Sequence, residues 1–195
     1  MFDRRQFMVK ERVGFMKLVD TYDIFDLASR AQLGIARETV GPLIKVLRLL
    51  ISKRLLPTSV EVRAGDGGPA LLTIKRGVGF LRTPVQVLDQ TGQQIGTFQS
   101  KVFSLGGGFD VFDAHGKKLA EIKGDWKGWN FKFLNGQGGE IGLVTKKWGG
   151  LAKELFTSAD TYAVSIAESA GGDRTTRILL IAAALAIDIV YKEKG

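Results

Sequence analysis

The middle of the chain alternates apolar and polar residues on both sides of short polar turns. Three stretches share this pattern: VQVLDQTGQQIGTF, FDVFDAHGKKLAEI and FKFLNGQGGEIGLV. In each of them an Asp or Asn opens the turn and a Gly follows three positions later. These pairs are Asp89 and Gly92, Asp113 and Gly116, and Asn135 and Gly138. Asp and Asn bond to their own backbone in turns and Gly accepts a positive φ, so each stretch is predicted to be a β-hairpin.

A looser fourth copy, YDIFDLASRAQLGIA, begins at Tyr22. Four or more hairpins of similar length predict a large antiparallel barrel or sandwich. The chain has 195 residues, of which 45% are hydrophobic and 25% charged. These values are ordinary for a globular protein, so we expect residues 1–195 to form a single domain.

The stretch GPLIKVLRLLISKRLLP, from Gly41 to Pro57, interrupts the strand pattern. Pro42 suits a helix start and Pro57 a helix stop. At 3.6 residues per turn, one face gathers Leu43, Val46, Leu47, Leu50 and Ile51, and the opposite face gathers Lys45, Arg48, Ser52 and Lys53. We therefore predict an amphipathic basic helix on the outside of the barrel, with its apolar face docked and its charges in water.

Two interpretations of this basic face remain open. Charged helix faces usually only interact with water. Alternatively, the helix is a membrane-surface or anionic-ligand element, which the additional apolar Leu49 on its polar side favours. The candidate contacts to an anionic surface are Lys45, Arg48, Lys53 and Arg54. Of these, the helical wheel turns Arg54 toward the docked face.

The closing stretch is apolar all round, since Asp188 is the one polar residue between Ile178 and Val190. As a helix it would be about 20 Å long, against about 30 Å for the hydrocarbon core of a bilayer. We therefore expect no transmembrane span. A helix without a polar face must be surrounded, and a barrel built from the hairpins could surround it. The residues predicted to be buried in this helix are Ile178, Leu179, Leu180, Ile181, Leu185 and Ile187.

Charge and composition narrow the choice of partner. The chain has 28 Lys and Arg against 20 Asp and Glu, a formal charge of +8, which favours an anionic partner such as nucleic acid or a phospholipid surface. It contains no Cys, which fits a reducing compartment. The start, MFDRRQFMVKERVGF, lacks the apolar run of a secretory signal. We expect a mature amino terminus and a cytoplasmic protein that is peripheral at the membrane.

No enzyme motif is present. The single histidine, His115, lies inside a predicted turn, and the glycine clusters match neither a P-loop nor a dinucleotide-binding motif. We therefore predict no catalytic residue, no metal site and no cofactor. The stretch GDWKGWNFKF interleaves basic and aromatic residues, as in some surfaces that stack nucleic-acid bases. Strand alternation, however, points Trp129, Phe131 and Phe133 to one face and predicts that they are core residues; the exposure of Trp126 stays open.

The carboxy-terminal third resembles the phospholipid scramblase-like proteins, which share the Tubby C-terminal-like fold with the LURP-one-related proteins. The resemblance lies in KKWGGLAKELFTSADTYAVSI and RILLIAAALAIDIVYKE, at Lys147, Trp148, Glu154, Phe156, Thr157, Ala159, Asp160, Tyr162, Asp188 and Tyr191. The hairpins extend it over nearly the whole chain. It implies a mostly β (α+β) fold, a closed antiparallel β-barrel of about twelve strands around a buried hydrophobic C-terminal helix.

The sequence departs from scramblase-like proteins of animals in three respects. It lacks their proline-rich tail and their cysteine cluster. In the stretch that matches their proposed calcium segment, Ser158 and Ser169 stand where carboxylates would be, so we expect no calcium site at Asp160. The resemblance implies a non-enzymatic module that interacts with lipid or phosphoinositide at anionic membrane surfaces. The alternatives are a soluble regulatory or scaffold protein and, with less support, a nucleic-acid binder.

Overall fold

The computed structural model describes residues 1–12, 19–52, 55–78, 84–101, 108–125, 128–146, 161–170 and 174–191. The strands are β1 Gln6–Glu11, β2 Thr21–Asp26, β3 Gln32–Thr39, β4 Thr58–Arg63, β5 Ala70–Arg76, β6 Val85–Asp89, β7 Gln94–Ser100, β8 Gly108–Asp113, β9 Lys118–Asp125, β10 Asn130–Leu134, β11 Glu140–Thr145 and β12 Thr161–Ile166. The helices are α1 Pro42–Leu47 and α2 Arg174–Tyr191, with a short 3₁₀ helix at Glu168–Ala170.

The twelve strands form one closed barrel in which each strand pairs with its neighbours in the sequence. All pairings are antiparallel, and β1 closes the barrel by pairing with β12 from Gln6 opposite Ser165 to Lys10 opposite Thr161. The predicted mostly β fold, a closed antiparallel barrel of about twelve strands with a C-terminal helix, is confirmed.

The three hairpin turns form as their paired Asp or Asn and Gly residues predict. Asp89 Oδ1 accepts the N–H of Thr91 at 2.8 Å and of Gln93 at 3.0 Å. Equivalent pairs of bonds reach Asp113 and Asn135. The glycine after each of these residues has a φ of 79° to 84°, which a side chain would disfavour. In the looser fourth copy the left-handed residue is Arg30, with a φ of 60°.

Helix α2 lies among the buried residues at the centre of the barrel. Leu179, Leu180, Ile181, Leu185 and Ile187 are buried, and Ile178 is partly buried against the same core. The helix contacts strands on opposite sides of the barrel, among them β12 and β7. Small residues make this enclosure possible: Ala182, Ala183, Ala184 and Ala186 are fully covered. A methyl group added at Gly96 of β7 would meet Leu179 at 2.6 Å.

The two ends of the barrel differ. The tight turns at 27–31, 90–93, 114–117 and 135–139 lie at one end, which we call the turn end. The connection 40–57, which contains α1, leaves the opposite end, the α1 end. Because β12 finishes at the turn end, α2 enters there and runs back, so Asp188 lies toward the α1 end.

The close approach of β7 to α2 yields a stability prediction. Gly96→Ala should destabilise the protein by about 1–3 kcal/mol, because the new methyl group overpacks against Leu179 and the Phe112 carbonyl. Denaturant unfolding monitored by fluorescence measures the change. Gly136→Ala is the control, since an added Cβ there has no atom within 4 Å. Equal stabilities of the two variants would show that α2 does not limit the space at Gly96.

A second prediction concerns acid stability and the outer face of β7, β8 and β9. The Lys101 ammonium lies 2.6 Å from Glu121 Oε1 and, with help from Lys123, lowers the pKa of Glu121 from 4.5 to about 2. Because folding lowers this pKa, ionised Glu121 stabilises the folded protein at pH values above its unfolded pKa of 4.5. This stabilisation is lost as the pH falls toward 2.

Glu121→Gln should therefore be less stable than the wild type near neutral pH, and the difference should shrink toward pH 2. Urea unfolding of both proteins at about pH 6 and about pH 2.5 tests the sign. A difference that stays constant or grows in acid would contradict the assigned pKa shift.

Candidate functional site

The α1 connection starts where the sequence predicts but is less helical than predicted. The helix spans Pro42–Leu47 with Gly41 as N-cap and Pro42 in its first turn. It ends at Arg48, whose backbone N–H donates to the Ile44 carbonyl at 3.0 Å. Residues 48–50 continue as turns rather than as helix. Over the described residues 41–52, the predicted helix is thus an α-helical segment of six residues followed by turns and a bend.

Arg48 points into the protein and forms a buried ion pair with Glu38 of β3. Their side chains are 4% and 1% exposed. The contact is bidentate: Arg48 Nη1 donates to Glu38 Oε2 at 2.8 Å and Nη2 donates to Oε1. Glu38 Oε2 also accepts the backbone N–H of Asp20 at 3.2 Å. Bidentate, charge-assisted contacts of this kind fix orientation, so the pair sets how the α1 connection sits on the barrel.

The apolar side of the connection consequently faces solvent. Leu43 is 69% exposed, Val46 58%, Leu49 71% and Leu50 81%. We call these four residues the α1 apolar surface. Isolated exposed apolar residues are normal, but four on one short connection are typical of an interaction site.

The predicted orientation of the helix is therefore wrong, and Arg48 is not available to an anionic surface. The barrel face beneath α1 explains the difference. It presents a row of outward polar side chains, Thr39, Ser59, Lys75 and Gln86, aligned across four paired strands. An apolar helix face would gain little by docking on such a row, whereas Glu38 needs a cation once it is buried. Lys45 is exposed as expected, and Lys53 and Arg54 lie outside the described residues.

A groove of about 300 Å³ lies between α1 and this row. Gly41, Ile44 and Pro57 line its helix side, and the polar row lines its strand side. Arg76 closes its inner edge, with Nη2 lying 3.4 Å from the Leu56 carbonyl and from Thr58 Oγ1. The groove thus combines apolar walls with hydroxyl, amide and cationic groups directly beside the α1 apolar surface.

The α1 end of the barrel also holds a buried polar group around Asp188. This residue of α2 is 5% exposed and interacts with Tyr22. Burial raises the pKa of Tyr22 well above its ordinary value, and the nearby Asp188 charge adds to the effect. Burial also raises the pKa of Tyr162 well above its ordinary value, and the Asp188 charge raises it further. Both phenols therefore remain protonated at neutral pH.

The other sequence candidates have structural roles where they are described. Phe131 and Phe133 are fully buried, so they are not available to stack on nucleic-acid bases. Trp129 packs on Tyr162 with ring centres 5.7 Å apart, and Lys146 Nζ lies 4.3 Å from its ring. The backbone N–H of His115 donates to Asp113 Oδ1 within its turn. Trp126 and the stretch 147–160, with Ser158 and Asp160, lie outside the described residues.

The described ranges offer neither a candidate metal centre nor a helix that could span a membrane. They contain no group of three or more His, Cys, Asp or Glu side chains placed to hold a metal ion. Neither α1 nor α2, as far as the structure describes them, has the combination of length and hydropathy needed to span a bilayer.

Comparison with known proteins identifies the family. The sequence pattern of the Scramblase family matches residues 60–194. The chain belongs to the Scramblase family. The match starts after α1, so nothing about the α1 apolar surface or the Arg48–Glu38 pair comes from it.

The fold has a relative among solved structures. The chain is similar to the X-ray structure of a protein from Arabidopsis thaliana, at 12% sequence identity and a TM-score of 0.50. The similarity covers 93% of this chain and 92% of that one. At this identity the likeness shows the fold alone. A search of curated proteins found no match.

Sequence reasoning missed Glu38 and the polar row. Glu38 had a detectable signal, because it falls in the inward-facing phase of β3 together with Ala36, and an inward Glu near a strand end requires a cation. The polar row had none, since its members come from four strands and are aligned only by the barrel register.

The buried ion pair can be tested by a double-mutant cycle. Arg48→Met should cost about 3–5 kcal/mol of unfolding free energy, because it leaves the Glu38 carboxylate buried without its guanidinium. Adding Glu38→Leu should recover much of this loss, since an apolar pair needs no charge compensation. Chemical denaturation of the single and double variants gives the coupling energy. If the double variant loses the sum of the two single losses, the residues do not act as a pair.

Proposed function

We propose that this Scramblase-family protein is a non-enzymatic peripheral module that docks its α1 end on anionic phospholipid membranes. The observation that carries the proposal is the α1 apolar surface, four large side chains held outward by the buried Arg48–Glu38 pair. Membership of the Scramblase family, together with the resemblance to phospholipid scramblase-like proteins, supports a lipid-related role. In this proposal residues 1–195 act as one barrel unit at the cytoplasmic side of a membrane.

The energetics favour shallow insertion supported by charge. Fully burying a Leu or Val side chain contributes about 1.5–3 kcal/mol, and these four side chains begin largely exposed. Basic residues near an anionic surface add about 1 kcal/mol each. Lys45 is exposed on the same helix, and Lys53 and Arg54 follow it in the sequence. The apolar surface would thus enter the interfacial region while neighbouring cations contact headgroups.

The apolar contribution is tested by vesicle cosedimentation. The double variant Leu43→Ser, Leu50→Ser should bind vesicles of mixed neutral and acidic phospholipid at least about tenfold more weakly than the wild type, because two inserting side chains are lost. Leu50→Met is the matched control, since it keeps an apolar side chain at the most exposed position. Unchanged binding of the double variant would remove α1 from the interface.

The electrostatic contribution is tested with charge variants and salt. Lys45→Gln should weaken binding about fivefold, which corresponds to about 1 kcal/mol, whereas Lys117→Gln in a turn at the opposite end should not. Raising the salt from about 0.1 M to about 1 M shortens the Debye length from about 10 to 3 Å and should release most of the protein. No binding by the wild type at low salt, or equal binding to neutral vesicles, would favour a soluble scaffold instead.

A further inference from the structure

The groove beneath α1 has the dimensions and lining of a small-ligand site. Its volume of about 300 Å³ lies at the lower end of the range for such pockets. Ligand pockets are mostly apolar with a few placed polar groups, and this groove has both. Ile44, Val40 and Pro57 supply apolar wall, and the strand side supplies the polar row.

The polar row is placed by strand register. Thr39 lies opposite Ser59, Ser59 opposite Lys75, and Lys75 opposite Gln86. Neighbouring strands are about 4.8 Å apart, so the hydroxyl, ammonium and amide groups form a continuous line. Lys75 is exposed and brings positive charge to the centre of this line. An anionic oxygen group at this point would meet one ammonium and several hydrogen-bond donors.

Arg76 lies at the inner edge of the groove. It is 8% exposed, and its guanidinium lies next to the Leu56 carbonyl and Thr58 Oγ1. These contacts hold the segment that carries Pro57. The Arg76 guanidinium also places a second positively charged group, after Lys75, close to the groove. The positive side of the groove is therefore its inner and strand side, and the apolar side is the one beneath α1.

We propose that the groove binds a single-chain anionic lipid, with the anionic head on Lys75 and the polar row and the chain against Ile44 and Pro57. A groove of this volume suits one short acyl segment rather than a whole two-chain phospholipid. The inference deepens the proposed function, because a lipid would reach the groove along the α1 apolar surface. Binding of a monomeric lipid in solution nevertheless does not depend on membrane docking, so the two can fail separately.

The probe is decyl phosphate, used as monomers in the absence of vesicles and titrated by calorimetry. Inorganic phosphate and uncharged decanol test the head and the chain separately. The wild type should bind decyl phosphate at least about tenfold more tightly than either fragment, and decanoate should compete because it shares the anionic head and the single chain. Equal binding of inorganic phosphate would overturn the lipid assignment and identify a free anion as the ligand.

Two variants locate the binding. Lys75→Gln should weaken decyl phosphate about tenfold, and Lys10→Gln, an exposed lysine on the outer face of β1, is its matched control. Gly41→Leu should block the groove, because Gly41 lines it and an added Cβ there has no atom within 4 Å. The φ of −63° and ψ of 158° at Gly41 suit any residue, so the new side chain introduces no backbone strain, and denaturant unfolding checks that the variant is folded.

Vesicle binding of the same variants separates the two proposals. If Gly41→Leu loses decyl phosphate but still binds anionic vesicles, both the groove site and the α1 interface are supported. If the wild type binds decyl phosphate in the groove but does not bind vesicles, the groove site stands and membrane docking fails. If Gly41→Leu and Lys75→Gln, folded to the wild-type stability, bind decyl phosphate as the wild type does, the groove proposal is wrong.

Discussion

Helix α2 has no polar face along its centre, and the rest of the fold follows from the need to enclose it. An antiparallel sheet covers such a helix on all sides only by closing on itself, which also removes every unpaired strand edge. Close approach on all sides requires small residues at the contacts, which the alanines of α2 and Gly96 of β7 supply. Where the structure describes it, the centre of the barrel is filled by α2. The groove and the α1 apolar surface lie outside this filled centre, at the α1 end.

The turn end and the α1 end of the barrel differ in the binding surface that they offer. Three connections at the turn end are tight Asp–Gly or Asn–Gly turns whose Asp or Asn side chains bond their own backbone. The α1 end carries the buried charges Glu38, Arg48, Arg76 and Asp188, together with the α1 apolar surface. Burying charge is costly unless it is paired, so such charges are placed where they fix a particular arrangement. Here Arg48 and Glu38 fix the outward direction of apolar side chains.

The helix at Pro42 shows why amphipathic patterns can mislead. Periodicity predicts that Leu43, Val46 and Leu50 share one helix face, but it contains no information about which face meets the barrel. The usual rule docks the apolar face, and here the surface available for docking is the polar row around Ser59 and Lys75. The buried pair and this polar surface together outweigh the gain from covering the leucines. Family membership does not alter this conclusion, since the match begins at residue 60.

The hairpins and the enclosed terminal helix can be read from the sequence alone, because they depend on local turn chemistry or on periodicity along one segment. These patterns left a barrel or a sandwich open, and the closed barrel of about twelve strands was implied by the resemblance to scramblase-like proteins. Asp89 and Gly92 specify a turn wherever the chain places them, and a helix like α2 must be buried in any fold. The folded structure is needed to show that Arg48 turns inward and that Thr39, Ser59, Lys75 and Gln86 align beneath α1. Those features depend on the register of distant strands and on competition between surfaces for one short helix, which no single stretch of sequence contains.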